Sequence, residues 1–171
     1  KSFKHIADAT INSIKCKSVS KKVTDNVDSY LCGTKQGNAY FFVNSLKFIT
    51  TIINKFNLND NNTRLIYSKN NDKVMKIKNS DTLSAPKKIN FVTSTAWEGC
   101  DLLDEDGIIY VVSDGNSEHT LLDINTTLPQ IVGRIRDIKS TEVYQLYSNS
   151  QDVDIEPAEY AESLNDFEKN L

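Results

Sequence analysis

Short apolar segments alternate with amphipathic ones along this chain, and the alternation limits its possible folds more than any other feature. Brief, almost uninterrupted apolar runs are typical of strands buried on both faces of a parallel sheet, in which helices connect successive strands. The runs are AYFFV (39–43), RLIY (64–67), KINFVTS (88–94), GIIYVVSD (107–114) and EVYQLY (142–147). The sequence therefore predicts an α/β domain with helices on both faces of a mainly parallel sheet.

Two helices are predicted between these strands. Apolar residues recur at helical spacing across NSLKFITTIINKF (44–56), and Asn44 or Ser45 can cap that helix. A second helix is expected to begin near Thr127, with an apolar stripe that extends to Ile135. In sheets of this kind ligands bind at the carboxyl ends of the strands, so we expect the functional residues there.

Residues 1–150 are predicted to form one domain, although the lead-in at 1–35 leaves its local structure open. The spacing of Phe3 and Ile6 favours a helix, whereas the stretch around Ile14 is compatible with a short strand. A chain of this length is long enough to bury a substantial core.

The last 21 residues, 151–171, differ from the rest in charge. They contain seven Asp and Glu against Lys169 alone, a net charge of -6, so the rest of the chain has a net charge of +3. The apolar residues of this tail recur at steps of four, three and four, and they are Tyr160, Leu164, Phe167 and Leu171. This spacing predicts an acidic amphipathic helix, either docked on the domain or connecting it to another one.

Composition excludes several classes of protein. Hydrophobic residues make up 39% and charged residues 25%, and no apolar stretch approaches the ~20 residues that a membrane helix needs. The three cysteines lack close C-x-x-C spacing, so no zinc or other metal site is predicted and a reducing compartment fits best. No secretory signal is visible, and we expect a cytoplasmic location with no membrane partner.

The segment T-S-T-A-W-E-G-C-D runs from Thr93 to Asp101 and begins just after KINFV, the apolar part of the third run. A loop that leaves a strand end can approach a sugar-phosphate backbone closely where it has small residues, here Ala96 and Gly99, while a threonine can donate to phosphate. The segment resembles motif V of superfamily-two helicases, T-x-x-A-x-x-G-x-D, at all of its fixed positions.

Further along, Q-I-V-G-R-I-R spans Gln130 to Arg136 and is similar to motif VI of the same family, Q-x-x-G-R-x-x-R. A guanidinium stabilises the negative charge on the transferring phosphoryl group, and its planar fork can bond two oxygens. The resemblance implies that Gln130, Arg134 and Arg136 are the catalytic residues, with an arginine finger among them.

The segment F-F-V-N-S-L (41–46) is similar to motif IV. Together the three motifs imply the second RecA-like domain of a helicase or translocase, with a three-layer α/β/α fold. The residues that the resemblance assigns to nucleic-acid contacts are Thr93, Ser94, Asn44 and Ser45. Those that it assigns to the nucleotide are Asp101 and Gly99.

Motif VI departs from the family pattern in one respect, because Arg136 comes two residues after Arg134 and Asp137 takes the usual place of the second arginine. On a regular helix Gln130 and Arg134 share a face, and Arg136 is rotated by about 200° from Arg134. We therefore expect Arg134 to be the finger. Arg136 can join it only if the helix unwinds by Ile135.

No G-x-x-x-x-G-K-[ST] motif is present, and the D-E-D at 104–106 is better interpreted as a turn than as a magnesium-binding acidic pair. ATP with Mg²⁺ is therefore expected to bind mainly to a first RecA-like domain of the same parent chain. The expected partners are that domain and single-stranded DNA or RNA, and the chain alone is expected to be inactive as an ATPase.

Two alternatives remain at this point. One is a degenerate RecA-like module that binds single-stranded nucleic acid or a protein without catalysis, and the other is an unrelated doubly wound α/β enzyme. Trp97 and Glu98 have two interpretations, packing or base contact, and His5 and His119 are interpreted as surface residues.

Overall fold

A computed structural model describes residues 9–68, 76–97, 100–117, 120–122, 126–136, 138–140 and 142–149. The predicted C-terminal helix at 151–171 lies outside these residues, as do Gly99, Glu98, His5, His119 and Asp137. Among the described residues, no helix is both long and apolar enough to cross a membrane.

In the described part of the chain, six strands form one parallel sheet. In chain order they are β1 (Thr10–Lys15), β2 (Asn38–Phe42), β3 (Thr63–Ile66), β4 (Ile89–Val92), β6 (Gly107–Asp114) and β8 (Glu142–Ser148). Their order across the sheet is β1-β8-β6-β2-β4-β3. Two further short strands, β5 (Leu102–Leu103) and β7 (Ile135–Arg136), pair with each other in a parallel ladder outside this sheet. The predicted α/β fold with a parallel sheet is confirmed.

Helices cover both faces of the sheet. Two of them, α1 (Val19–Leu31) and α2 (Leu46–Phe56), pack on one face, and α3 (Thr127–Val132) packs on the other together with the β5–β7 ladder. Side chains of a strand alternate between the faces, so Phe41 joins the first core cluster and Phe42 the second. This is the predicted three-layer α/β/α arrangement, and it is consistent with the RecA-like fold that the motif resemblance implies.

The lead-in at 1–35, left open above, contains a strand and then a helix in its described part. Ser18 caps α1, since its hydroxyl accepts a hydrogen bond from the backbone N–H of Lys21 at 3.2 Å. Val23 and Val27, one turn apart, are fully buried against the sheet. Burial of the valine face therefore stabilises this helix, although β-branched residues have weak helix propensity.

The predicted helix near Thr127 begins there but ends earlier than expected, at Val132. Gly133 caps its carboxyl end with an N–H that donates to the carbonyl of Pro129 at 3.2 Å. The expectation that Arg134 lies on this helix, one turn after Gln130, is therefore wrong. Arg134 follows the helix, and Arg136 lies in strand β7.

Candidate functional site

The loops after β2 and β4 meet at the carboxyl edge of the sheet. The Ser94 hydroxyl donates to the side-chain oxygen of Asn44 at 2.8 Å, and the N–H of Val43 donates to the carbonyl of Val92 at 3.1 Å. Because β2 and β4 are adjacent parallel strands, their ends place these loops side by side. The motif IV-like and motif V-like segments, far apart in sequence, thus form one polar edge.

Thr93 anchors this edge from inside. It is buried, and both its N–H and its hydroxyl donate to the carbonyl of Ile66, at 3.0 and 3.2 Å. Ser94 and Thr95, which follow it in a single 3-10 turn, are exposed. In this arrangement Thr93 positions the loop, and the hydroxyl groups that face solvent are those of its two neighbours.

A cleft of about 240 Å³ lies at the carboxyl edge, where β2 and β6 are neighbours. The chain leaves β2 through α2 toward β3 and leaves β6 through α3 toward β8, so its direction across the sheet reverses between these two strands. Open α/β sheets bind ligands at such switch points. Ser45 and Lys47 line the cleft beside Asp114, and the Ser45 hydroxyl also caps α2 by accepting from the N–H of Phe48 at 3.3 Å.

Trp97 is packed. Its side chain is 7% exposed, and its indole N–H donates to the carbonyl of Val92 at 3.2 Å. Of its two interpretations the structure therefore favours packing, because a ring held this way has no free face for a base. Trp97 packs in the core cluster on the α3 face of the sheet.

The ladder between β5 and β7 joins the motif V-like segment to the motif VI-like segment. The N–H of Leu102 donates to the carbonyl of Arg134 at 2.9 Å, and the N–H of Asp104 donates to that of Arg136 at 3.3 Å. Gly133 ends α3 just before this ladder, so the backbone of the arginine segment is extended and paired. Sequence patterns did not predict these two-residue strands.

Asp101 and Arg136 form an ion pair across the ladder. The Nε of Arg136 lies 2.7 Å from a carboxylate oxygen of Asp101, and the side chains are 14% and 44% exposed respectively. A charge-assisted hydrogen bond of this length in a half-buried place is stronger than a surface pair. The pair therefore neutralises Arg136 and holds the two motif segments together.

Arg134 is engaged differently. Its Nε donates to the carbonyl of Gln130 at 2.9 Å and its Nη1 donates to that of Cys100 at 3.2 Å. Within the described part of the chain it has no carboxylate partner, so backbone oxygens orient the guanidinium without cancelling its charge. Burial raises the pKa of the nearby Cys100 thiol, and Arg134 opposes that rise.

The predicted site residues thus fall into two groups. Asn44, Ser45 and Ser94 lie at the carboxyl edge, which Thr93 supports from inside. The second group lies at the end of α3 and along the β5–β7 ladder, which leads into the start of β6, and consists of Asp101, Gln130, Arg134 and Arg136. Arg134 contacts Cys100 and Leu102, the two neighbours of Asp101. This second group does not lie at the end of β4, where Thr93 lies, so the expectation that all the functional residues gather at the carboxyl ends of the strands is wrong for these four.

Arg64, predicted from the sequence only as part of a strand, is a buried cation. It is 1% exposed, and its Nη2 donates to the carbonyls of Asp81 and Thr82 at 3.2 and 2.6 Å. Burial lowers the pKa of Arg64 and raises that of Tyr40 beside it. The sequence contained one indication of this role, because Arg64 begins the apolar run RLIY. A charged side chain in a buried strand needs hydrogen-bond partners, and here they are the loop carbonyls of Asp81 and Thr82.

No model of a known protein family matches this chain, and no curated protein does so. In the described residues no group of three His, Cys, Asp or Glu side chains is arranged to hold a metal ion.

Proposed function

We propose that this chain is the second RecA-like domain of an ATP-dependent superfamily-two helicase or translocase. The observation that supports this most strongly is the ladder and ion pair between the motif V-like and motif VI-like segments. Two segments that resemble the family by sequence are joined through Asp101 and Arg136. An accidental pair of motifs would have no reason to be in contact.

Within this proposal Arg134 is the arginine finger and Arg136 is a positioning residue. A finger must present positive charge to a transferring phosphoryl group, and Arg134 is oriented by two carbonyls that leave its charge intact. Arg136 is neutralised by Asp101, and this ion pair would have to break before Arg136 could bind a phosphate. Arg136 then holds the segment so that Arg134 keeps its place.

ATP with Mg²⁺ would be held mainly by a first RecA-like domain of the same parent chain, since this sequence has no P-loop. The second domain would contribute Arg134, with Asp101 and Gly99 near the nucleotide. Nucleic acid would lie on the carboxyl edge, where Asn44 and Ser94 present polar groups. The net charge of +3 outside the acidic tail favours contact with phosphates.

Substitution of the two arginines in the full-length protein tests the proposal. Arg134→Ala is expected to lower nucleic-acid-stimulated ATP hydrolysis by about 10³-fold or more, in line with the loss of an arginine finger. Arg136→Ala is expected to lower it less. Turnover and ATP affinity are measured separately, because a finger acts on the rate more than on ground-state binding.

The outcomes separate the proposal from its alternative, a RecA-like module that binds single-stranded nucleic acid or a protein without catalysis. Unchanged hydrolysis after Arg134→Ala would favour that module. Equal, severe losses in both variants would mean that both arginines reach the phosphates. The chain alone is expected to hydrolyse no ATP and to bind single-stranded nucleic acid less tightly as salt rises, measured by fluorescence anisotropy.

A further inference from the structure

One face of the sheet is incompletely covered at its β1 edge. On the opposite face, Ile14 and Leu146 pack in the core beneath α1. On the α3 face, the paired residues Ser13 and Gln145 have no helix above them within the described residues, and Ile11 is 44% exposed. Parallel sheets almost always have both faces covered, so this strip is expected to receive a further element.

A groove of about 520 Å³ marks the uncovered strip. Ser13, Gln145 and Tyr147 form its floor, and Leu121, which is 55% exposed, stands at its side. Asn149, the last residue described, also lines it. The chain therefore enters its C-terminal tail directly from this groove.

The tail, residues 151–171, has the pattern and length to fill the groove. It lies outside the described residues, but its apolar residues fall on one face of a helix and begin after Pro157. A helix from there to Leu171 is about 20 Å long at 1.5 Å per residue, and strand β1 is also about 20 Å long at 3.3 Å per residue. The segment from Asn149 to Pro157 is long enough to turn the chain back over the sheet.

Charge also favours this occupant. The tail has a net charge of -6, and its first acidic residues, Asp152 and Asp154, follow closely after the groove. Lysines cluster at the adjoining carboxyl end of β1, where Lys15 pairs in register with Tyr147. They are Lys15, Lys17, Lys21 and Lys22, and they line a neighbouring cleft of about 230 Å³. Asp25 lines the same cleft and pairs with Lys21, so these four lysines and one aspartate give the cleft a net charge of +3. Opposite charges would draw the start of the tail toward this end of the sheet.

We propose that residues 151–171 dock in cis as an amphipathic helix in the groove over β1 and β8. Their apolar face, with Leu164 and Phe167, covers Ile11 and Tyr147, and their acidic face points outward and toward the lysines. This proposal concerns the packing of the chain itself and does not depend on the function proposed above.

Thiol labelling in the full chain tests the docking. Ser13→Cys places a thiol in the groove, and Leu83→Cys places one at an open site that is 81% exposed in the native chain. Each is combined with the native tail, with Leu164→Asp plus Phe167→Asp, or with Lys169→Asp. The last control adds the same negative charge on the opposite face of the predicted helix. Maleimide labelling is followed site by site by mass spectrometry, and folding is checked by circular dichroism.

With the native tail and with Lys169→Asp, the thiol of Ser13→Cys is expected to react at least about tenfold more slowly than with the double substitution. The reason is that a docked tail must detach from the groove before the reagent can reach this thiol. The thiol of Leu83→Cys should react equally in all three. Equal rates for Ser13→Cys would overturn the proposal, and protection lost on dilution would assign the groove to a second copy's tail. If the double substitution prevents folding, amide hydrogen exchange of the unsubstituted chain decides, and unprotected amides in 151–171 would overturn docking.

Discussion

Breaking the Asp101–Arg136 pair is expected to lower the free energy of unfolding by an amount that a double-mutant cycle can isolate. Two unit charges about 4 Å apart interact by about 1 kcal/mol in water and about 4 kcal/mol at the effective dielectric of a protein surface. Asp101 is 44% exposed and Arg136 is 14% exposed, so screening is partial. We therefore expect a coupling energy of about 1–2 kcal/mol between Asp101→Asn and Arg136→Gln.

The assay is urea unfolding of the parent chain, the two single variants and the double variant. A matched control is the same cycle on Lys21 and Asp25, an i,i+4 pair whose side chains are 75% and 55% exposed. Solvent screens that pair, so its coupling should not be resolved from zero. A coupling for Asp101–Arg136 no larger than for Lys21–Asp25 would refute the idea that this ion pair joins the two motif segments.

Two further predictions concern stability. Gly37→Ala is expected to lower the free energy of unfolding by about 2–4 kcal/mol, measured by urea unfolding. A positive φ disfavours alanine, and the added Cβ would clash with the carbonyl oxygen of Asp106. Gly33→Ala shares the positive φ but meets no atom within 4 Å, so an equal loss there would contradict the steric argument. Burial raises the pKa of Tyr40 and Tyr110 in the folded chain, so their contribution is complete below pH ~10 and is lost as the pH rises above it. Unfolding free energies that do not fall from about pH 9 to about pH 11, measured together with phenolate absorbance, would contradict this.

The central strands were predictable because their apolar runs are long and unbroken. The run GIIYVVSD coincides with β6, and the helix at 44–56 has the expected cap at Ser45. These elements depend on local pattern and burial, which a sequence displays directly. The lead-in was harder, although the spacing of Val23 and Val27 was visible, because three polar residues separate each valine of α1 from the next.

The arginine segment shows why the candidate site was only partly predictable. Ile131, Val132 and Ile135 have helical spacing, so the pattern extends the helix through Arg134. The structure ends it at Gly133, and pairing with β5 holds the following residues extended. That pairing joins residues distant in sequence, and local periodicity contains no information about it. The same holds for the carbonyls that orient Arg134.

The place of β1 in the sheet has a consequence for synthesis of the chain. Its neighbour in the sheet is β8, and the bond between Ser13 and Gln145 joins residues 132 positions apart. At a translation rate of 5–20 residues per second, on the order of ten seconds separate the emergence of the two strands from the ribosome. During that interval β1 has no sheet to join, and its unpaired backbone is open to other chains. The order of strands therefore makes early chaperone protection most valuable at the N-terminal part of this domain.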